Sequence, residues 1–271
     1  MAIIWEMMRW LATLALCVVC MCHGEHAVFT KEMAGKQNGL LALLGVNQQR
    51  IEARIFLEKE AELCIVDEGD GEPLYGSLEA AMVKHRCFAG VNGGYFGADV
   101  ARTPIGLLRH AGYTISPLAN SGFTVAGVVY DTGRGIRIER TARLQASVRT
   151  MREAIQGGPF LVEQGRVVPG LEKTRRAART FIATDGAGKW CIAVSSPLTL
   201  HELAVWLAEK GSMGAFRVHT ALNLDGGSSS SFWDKAAGAY LPGFKAVRNY
   251  VGVRPRGGSA ADAADHRRPD R

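Results

Sequence analysis

An α+β (mixed α/β) fold, a single domain of mixed β-sheets flanked by a few short helices, is predicted by three features of this sequence. Short apolar runs recur along most of its length. Turns rich in Gly, Asp and Pro separate them, and few stretches carry the spacing of an amphipathic helix. At 271 residues, with 47% hydrophobic and 21% charged side chains, the chain can bury a sizeable core, and general disorder is excluded.

Residues 1–24 read as a secretory signal. Arg9 precedes the apolar run Trp10 to Met21, which is too short to cross a bilayer comfortably, and Cys22-His23-Gly24 ends it in small residues. Cleavage before Glu25 would leave a secreted or periplasmic protein with no membrane role beyond that segment; an uncleaved anchor is the alternative. Cys64, Cys87 and Cys191 remain in the mature chain, so a monomer can hold at most one disulfide. Cys64–Cys87 is the expected pair in an oxidising compartment, and Cys191 is a small buried hydrophobe. No Cys-x-x-Cys or His-x-x-x-His spacing occurs after residue 24, so no metal site is expected.

Taken in order, residues 25–49 form a lead-in, polar from Glu25 to Asn38 and apolar from Gly39 to Val46, and residues 50–254 form the domain. Arg50 to Leu57 alternates as a strand, and Glu62 to Val66 follows as a second. After the Asp/Gly/Pro loop 67–76, Ser77 caps a short helix whose Leu78, Ala81, Met82 and His85 share a face. His85 suits the helix end better than it suits a base. Cys87 to Val91 is an apolar strand that runs into Asn92-Gly93-Gly94-Tyr95-Phe96. Short strands follow at Ile105–Arg109, Gly122–Tyr130 and Ile136–Arg140, then a short helix at Ser147–Ala154. Gln156-Gly157-Gly158-Pro159 places a second glycine pair beside a strand.

Lys173 to Asp185 passes from a basic loop into a strand with Arg179 at its entrance, and Asp185-Gly186 turns it back into Lys189–Ser195. Thr199-Leu-His-Glu202 is a capping box opening a helix that Gly211 ends. Ala221 to Leu224 is a buried strand delivering Asp225 into Gly226-Gly227-Ser228-Ser229, a third glycine pair. Asp-Gly alone fits a hairpin turn equally well. Val247 to Val253, carrying Arg248 and Asn249, is the last strand, and residues 255–271 are a tail disordered by composition.

Net charge is +6, and residues 134–179 hold eleven Arg or Lys against four Glu. Such a patch attracts phosphate, nucleic acid or an anionic surface, or is simply a solvated basic face. A secretory signal argues against nucleic acid. Neither a P-loop nor a Gly-x-Gly-x-x-Gly fingerprint is present, and Ser228 to Ser231 lack the Gly-x-Ser-x-Gly elbow. No cofactor is required, and calcium near Asp225 lacks a ligand cluster.

Asn92-Gly-Gly-Tyr-Phe96, Gly157-Gly-Pro-Phe-Leu161, Arg179-Thr-Phe-Ile-Ala183, Leu224-Asp-Gly-Gly-Ser228 and Arg248-Asn249 occur in one order along the chain. That order resembles the phosphodiester glycosidase family, whose lysosomal member removes N-acetylglucosamine from the phosphate on mannose. Ser228 stands where the family more often has a third glycine. The resemblance implies mixed sheets flanked by helices and hydrolysis of a sugar C1–O–phosphorus bond in a phosphorylated glycan or other sugar-phosphodiester. A phosphate leaves readily without full protonation, so cationic support can replace one carboxylate of an ordinary glycosidase pair. Asp225 would then be base or nucleophile at C1. Arg179 and the N–H groups of Gly157 and Gly158 would neutralise the phosphate. Asn92 and Asn249 would hold sugar hydroxyls or phosphate, Tyr95 would be a stacking face, and Ser228 and Ser229 would donate hydrogen bonds. The rival reading is a non-catalytic secreted module that binds carbohydrate in the same cleft.

Overall fold

The computed structural model describes residues 24–32, 48–144 and 148–257. Residues 1–23 of the expected signal segment, with its three cysteines, and residues 258–271 of the expected tail lie outside them. Strands dominate. They form a seven-stranded sheet and two five-stranded sheets, with two α-helices among the described residues.

The large sheet has the order β1–β2–β13–β12–β14–β10–β11. Its strands are β1 (Glu25–Glu32), β2 (Gln48–Leu57), β10 (Phe160–Glu163), β11 (Arg166–Val167), β12 (Ala177–Thr184), β13 (Lys189–Leu198) and β14 (Thr220–Asn223). The second sheet is β16–β15–β4–β17–β3: β3 (Ala61–Asp67), β4 (Ala89–Asn92), β15 (Phe232–Asp234), β16 (Ala239–Leu241) and β17 (Asn249–Pro255). The third is β6–β5–β9–β7–β8: β5 (Leu108–His110), β6 (Tyr113–Ser116), β7 (Gly127–Asp131), β8 (Ile136–Arg140) and β9 (Glu153–Gly157).

Two-residue periodicity explains the layers. On β12, Ile182 faces the core shared by all three sheets, where it joins Val91, Ile155, Phe160, Trp190, Leu222 and Val251. Phe181 and Ala183, on the opposite face, pack beneath α2 (Leu200–Ala208) with Leu203, Trp206 and Leu207. A strand covered on both faces carries consecutive apolar residues, as β12 does at Phe181–Ala183 and β13 at Trp190–Val194. The capping box of α2 is formed: Thr199 accepts from the Glu202 N–H, and the Glu202 side chain accepts from that of Thr199. Each large side chain it buries is worth about 1.5–3 kcal/mol.

The first helix, α1 (Leu78–Lys84), is capped by Ser77 and closed by His85 as expected, and it covers the outer face of the second sheet. Several expectations fail. Gly122–Tyr130, expected as one strand, is a 3-10 turn at Phe123–Val125 followed by β7 from Gly127, and α2 is capped by Glu209 rather than ended by Gly211. Glu25–Glu32, expected to be lead-in, is β1, paired antiparallel with β2 from Glu25↔Ile55 to Glu32↔Gln48. The helix expected over 147–154 is a 3-10 turn at Val148–Thr150 followed by β9, whose five residues are all buried.

Cys64, Cys87 and Cys191 are free thiols, so the expected Cys64–Cys87 disulfide is not formed. The two are nonetheless in hydrogen-bond contact, and that contact together with burial holds the Cys64 thiol well above its usual range. Burial, helped by the Asp185 charge, pushes Cys191 up to about 12, which leaves it inert. Gly252, opposite Cys64 in the β3–β17 register, leaves room for this contact. A Cβ there would lie 2.5 Å from Cys87 Sγ and 2.9 Å from Met82 Sδ. Gly252→Ala is therefore expected to cost about 1–3 kcal/mol, read as a lower denaturant midpoint at unchanged slope.

Candidate active site

The site forms where the large sheet meets the second sheet, and four chain segments far apart in sequence supply it. β14 carries the chain to Leu224, whose N–H donates to Thr180 O at 2.8 Å and so extends the strand beside β12. Asp225 comes next. Its N–H donates to Gly93 O at 3.1 Å, and its C=O accepts from Asn92 Nδ2 at 2.8 Å. The β14 end is thereby tied to the end of β4 in the neighbouring sheet.

The Asp225 carboxyl is half-buried. Oδ1 accepts from the Gly226 N–H at 2.9 Å, and the Ser229 hydroxyl also donates to the carboxylate. Burial raises its pKa above the ordinary Asp value, against the opposing pull of Ser229, the Gly226 N–H, Lys245 and Arg175. Its strongest partners are thus a hydroxyl, an amide and two cations, with no second carboxylate among them.

Tyr95 lies between this acid and Arg179. Burial and the Asp225 charge push its phenol upward, while Arg179 and Asn223 pull the other way, so it stays neutral at all physiological pH. Its hydroxyl donates to Gly158 O at 2.9 Å and accepts from Asn223 Nδ2 at 2.8 Å. Tyr95→Phe removes both bonds, leaving Gly158 O and Asn223 Nδ2 still paired with each other at 3.1 Å. A loss of about 1 kcal/mol in chemical denaturation is the expected result.

Arg179 is buried at the entrance of β12, as its sequence position suggested. Its Nε donates to Leu198 O at 3.0 Å and Nη2 to Arg175 O at 2.7 Å, with Glu172 Oε2 at 3.8 Å. Nη2 thus faces both a carbonyl and a carboxylate, and Nη1 is the nitrogen left to meet an anion. Arg175, exposed on the preceding loop, adds a second positive charge.

The two asparagines are already committed. Asn92 Oδ1 accepts from Thr180 Oγ1 at 2.6 Å and from the Ser231 N–H at 3.0 Å, so with its bond to Asp225 O both ends of the amide serve the protein. Asn249 Oδ1 accepts from the Gly94 N–H at 2.7 Å. A Cβ on Gly93 would overlap that same oxygen, so the first glycine pair exists to let β17 press against the Asn92 turn. The next residue back, Arg248, is a buried clamp. Its Nε meets Asp67 at 2.6 Å and its Nη1 meets Asp70 at 2.5 Å and Ala101 O at 2.7 Å.

The glycine pair 157–158 does not present a phosphate cradle. The Gly158 N–H donates to Asn223 O at 2.8 Å, and Gly157 is the last residue of β9, paired with Gly127. What the pair provides is proximity: a Cβ on Gly158 would overlap Phe123 O. Ser228 is exposed beside Asp225, while Ser229 is buried and bonded to it.

Asp225, Arg179, Tyr95 and Ser229 therefore share one locus, with Asn92 and Asn249 beneath it as struts. Sequence reasoning passed over Arg175, Lys245, Thr180 and Asn223. Asn223 is buried, donates to Tyr95 Oη, Gly158 O and Leu224 O, and keeps Oδ1 without a partner. An amide inside the apolar run Ala221 to Leu224 was the available signal. Among the described residues no group of three His, Cys, Asp or Glu is placed to hold a metal ion.

Comparison with known proteins gives three results. A family model described as phosphodiester glycosidase matches residues 85–254. No curated protein matches the chain in sequence. Among solved structures, the fold is similar to the zebrafish N-acetylglucosamine-1-phosphodiester alpha-N-acetylglucosaminidase catalytic domain, auto-inhibited by its pro-peptide (TM-score 0.59, 14% identity, covering 85% of this chain and 83% of that one). It is also similar to a hypothetical protein from Synechocystis (TM-score 0.55, 17% identity, 76% and 59% covered).

Proposed function

This chain belongs to the phosphodiester glycosidase family, and from that premise we propose that it is an exported hydrolase cleaving the sugar C1–O–phosphorus bond of a sugar-1-phosphodiester. One observation carries this reading: the half-buried carboxylate of Asp225 feels the charges of Lys245 and Arg175, and Tyr95 feels both Asp225 and Arg179. That inventory suits a leaving group that arrives charged and departs without a proton.

In the proposed reaction the C1–O bond breaks and its electron pair stays on the phosphate, which leaves as a monoester dianion. Water supplies the hydroxyl that ends at C1. Asp225 either takes the proton from that water or attacks C1 first and is released by the water afterwards. Arg175, Lys245 and the free edge of Arg179 offset the charge that builds on phosphate. Tyr95 offers its ring to the sugar, and Ser229 orients the carboxylate. Ser228, exposed beside Asp225, is placed to donate to the substrate. Asn92 and Asn249 act as positioning residues, because Asn92 bonds the Asp225 main chain and Asn249 Oδ1 holds the Gly94 N–H of the Asn92 turn.

The direct test is to incubate the purified protein with an N-acetylglucosamine-1-phosphodiester and follow reducing sugar and phosphate monoester together. Equimolar release of both supports the proposal. Binding of the diester without release would mark a carbohydrate-binding module and sink it.

A further inference from the structure

The antiparallel registers bring the loops around Asp225 to one end of all three sheets. β14 reaches that end at Asn223, which pairs with Phe181, so β12 starts from it at Ala177. β9 arrives there at Gly157, opposite Gly127, where β7 begins after the turn at Phe123–Val125. In the second sheet β3 ends there at Asp67, opposite Asn249, and β4 ends there at Asn92. β16 leaves from the same end, since Leu241 pairs with Phe232 just after the serine turn. Loops 67–76, 93–107, 117–126, 171–178 and 241–248 therefore surround the carboxylate.

Large apolar side chains collect on these loops. Six are more than half exposed among the described residues: Leu74, Val100, Phe123 and Phe244 stand at this end, Val83 and Tyr113 elsewhere. Val100 and Phe244 are 88% and 91% exposed. Seated main chain holds them out. The Phe244 N–H donates to Ser228 O at 2.8 Å, and the Gly97 N–H donates to Thr103 O at 2.8 Å, closing the turn that carries Val100. Exposed cations lie between them, with Lys173, Arg175 and Arg176 on one loop and Lys245 beside Phe244. The neighbouring acids are engaged: Glu172 by Thr174, Asp70 by Arg248 and Asp99 by Thr103. Glu72 keeps the Leu74 corner acidic, so Val100, Phe123 and Phe244 form the centre of this surface.

We propose that this end of the molecule docks on an anionic lipid bilayer. Val100, Phe123 and Phe244 enter the interface, and Lys173, Arg176 and Lys245 meet the head groups. A protein partner needs a continuous apolar core that matches it in shape. These side chains stand singly on three loops with polar residues between them, and a bilayer accepts that because each inserts on its own. The interspersed cations add attraction to anionic head groups within about a Debye length, roughly 8–10 Å. No described helix is long and apolar enough to cross a membrane, so the contact is peripheral. It is a membrane role beyond the signal segment, which the sequence did not suggest, and it turns the mouth of the Asp225 site toward the head groups.

The test is co-sedimentation of the exported protein with vesicles of phosphatidylcholine and phosphatidylglycerol in equal parts, and with phosphatidylcholine alone. Wild type should partition about tenfold more strongly onto the anionic vesicles, and about 0.5 M NaCl should release it. Val100→Ser with Phe244→Ser should lower the partition coefficient about tenfold, and Lys173→Gln with Arg176→Gln should do the same. Val83→Ser with Tyr113→Ser changes exposed side chains away from this end and should leave partitioning within about twofold. All six positions are exposed, so every variant should keep the wild-type Tm. All are compared with one N-terminus, fixed by mass spectrometry, because a retained signal segment would add its own affinity. Wild type that ignores anionic vesicles would overturn the proposal, as would control variants that lose as much as the others, or four silent substitutions at this end. So would a dimer that Val100→Ser with Phe244→Ser disperses, since a second copy would then cover the surface.

Discussion

Replacing Asp225 with Asn is expected to reduce turnover of a sugar-1-phosphodiester by on the order of 10³–10⁴-fold while leaving the fold intact. The fold survives because the structural work of Asp225 is done by its main chain. Its N–H goes to Gly93 O and its C=O accepts from Asn92, and an Asn amide oxygen still accepts from Gly226. Only the charge is lost. A variant with undiminished turnover would remove Asp225 from the chemistry.

The raised pKa of this carboxyl gives the same experiment a second readout. As base or nucleophile Asp225 must be ionised, so activity should rise with pH through a midpoint above the ordinary Asp value. Stability should move the other way. A carboxyl whose folded pKa lies above its unfolded one contributes stability that is full below the unfolded value and lost as pH rises through the folded value. Asp225→Asn should therefore raise Tm at neutral pH, and the gain should vanish in acid. A variant less stable than wild type at neutral pH would mean that the carboxylate is held by more than burial.

How much of this could be read from the sequence depended on whether the deciding contacts were local. β12, β13 and β14 were legible because burial on both faces leaves consecutive apolar residues, as in Phe181–Ala183, Trp190–Val194 and Ala221–Leu222. α1 and α2 were legible because Ser77 and Thr199 each cap a residue three positions away. β9 was misread because Met151 to Ile155 is short enough to mimic a helical turn. Its strand state is imposed by β7, with Val129 paired to Ile155, and by β5. β1 was misread because its polar residues gain order only from β2 across an intervening segment. The glycine pairs were seen at strand ends, with Gly157 and Gly158 expected to neutralise phosphate, but their purpose needed partners more than 60 residues away: Asn249 for Gly93 and Asn223 for Gly157 and Gly158. Lys245 could not be assigned at all, since only the fold lays the 243–245 loop on the serine turn.

Asn92→Ala carries the second large expected effect, and it separates a strut from a substrate ligand. Asn92 is 1% exposed and joins three elements: Thr180 on β12, Ser231 ahead of β15, and the main chain of Asp225. Truncation leaves the Asp225 carbonyl without that donor and leaves the Ser231 N–H and the Thr180 hydroxyl without their acceptor. With each stranded buried group costing about 1–3 kcal/mol, the sum should reach about 3–5 kcal/mol after relaxation. Thr180→Val removes one of these bonds and should cost less. The kinetic signature follows from what Asn92 holds. Letting the Asp225 turn drift by about 1 Å should lower kcat on the order of 10²-fold with KM nearly unchanged. Asn92→Asp keeps both accepting bonds but sets a carboxylate against the Asp225 carbonyl, so it should fold better than the Ala variant and still turn over slowly. Were Asn92→Ala to raise KM at constant kcat, the amide would be binding substrate, and its bonds to Thr180, Ser231 and Asp225 would have to yield when substrate arrives.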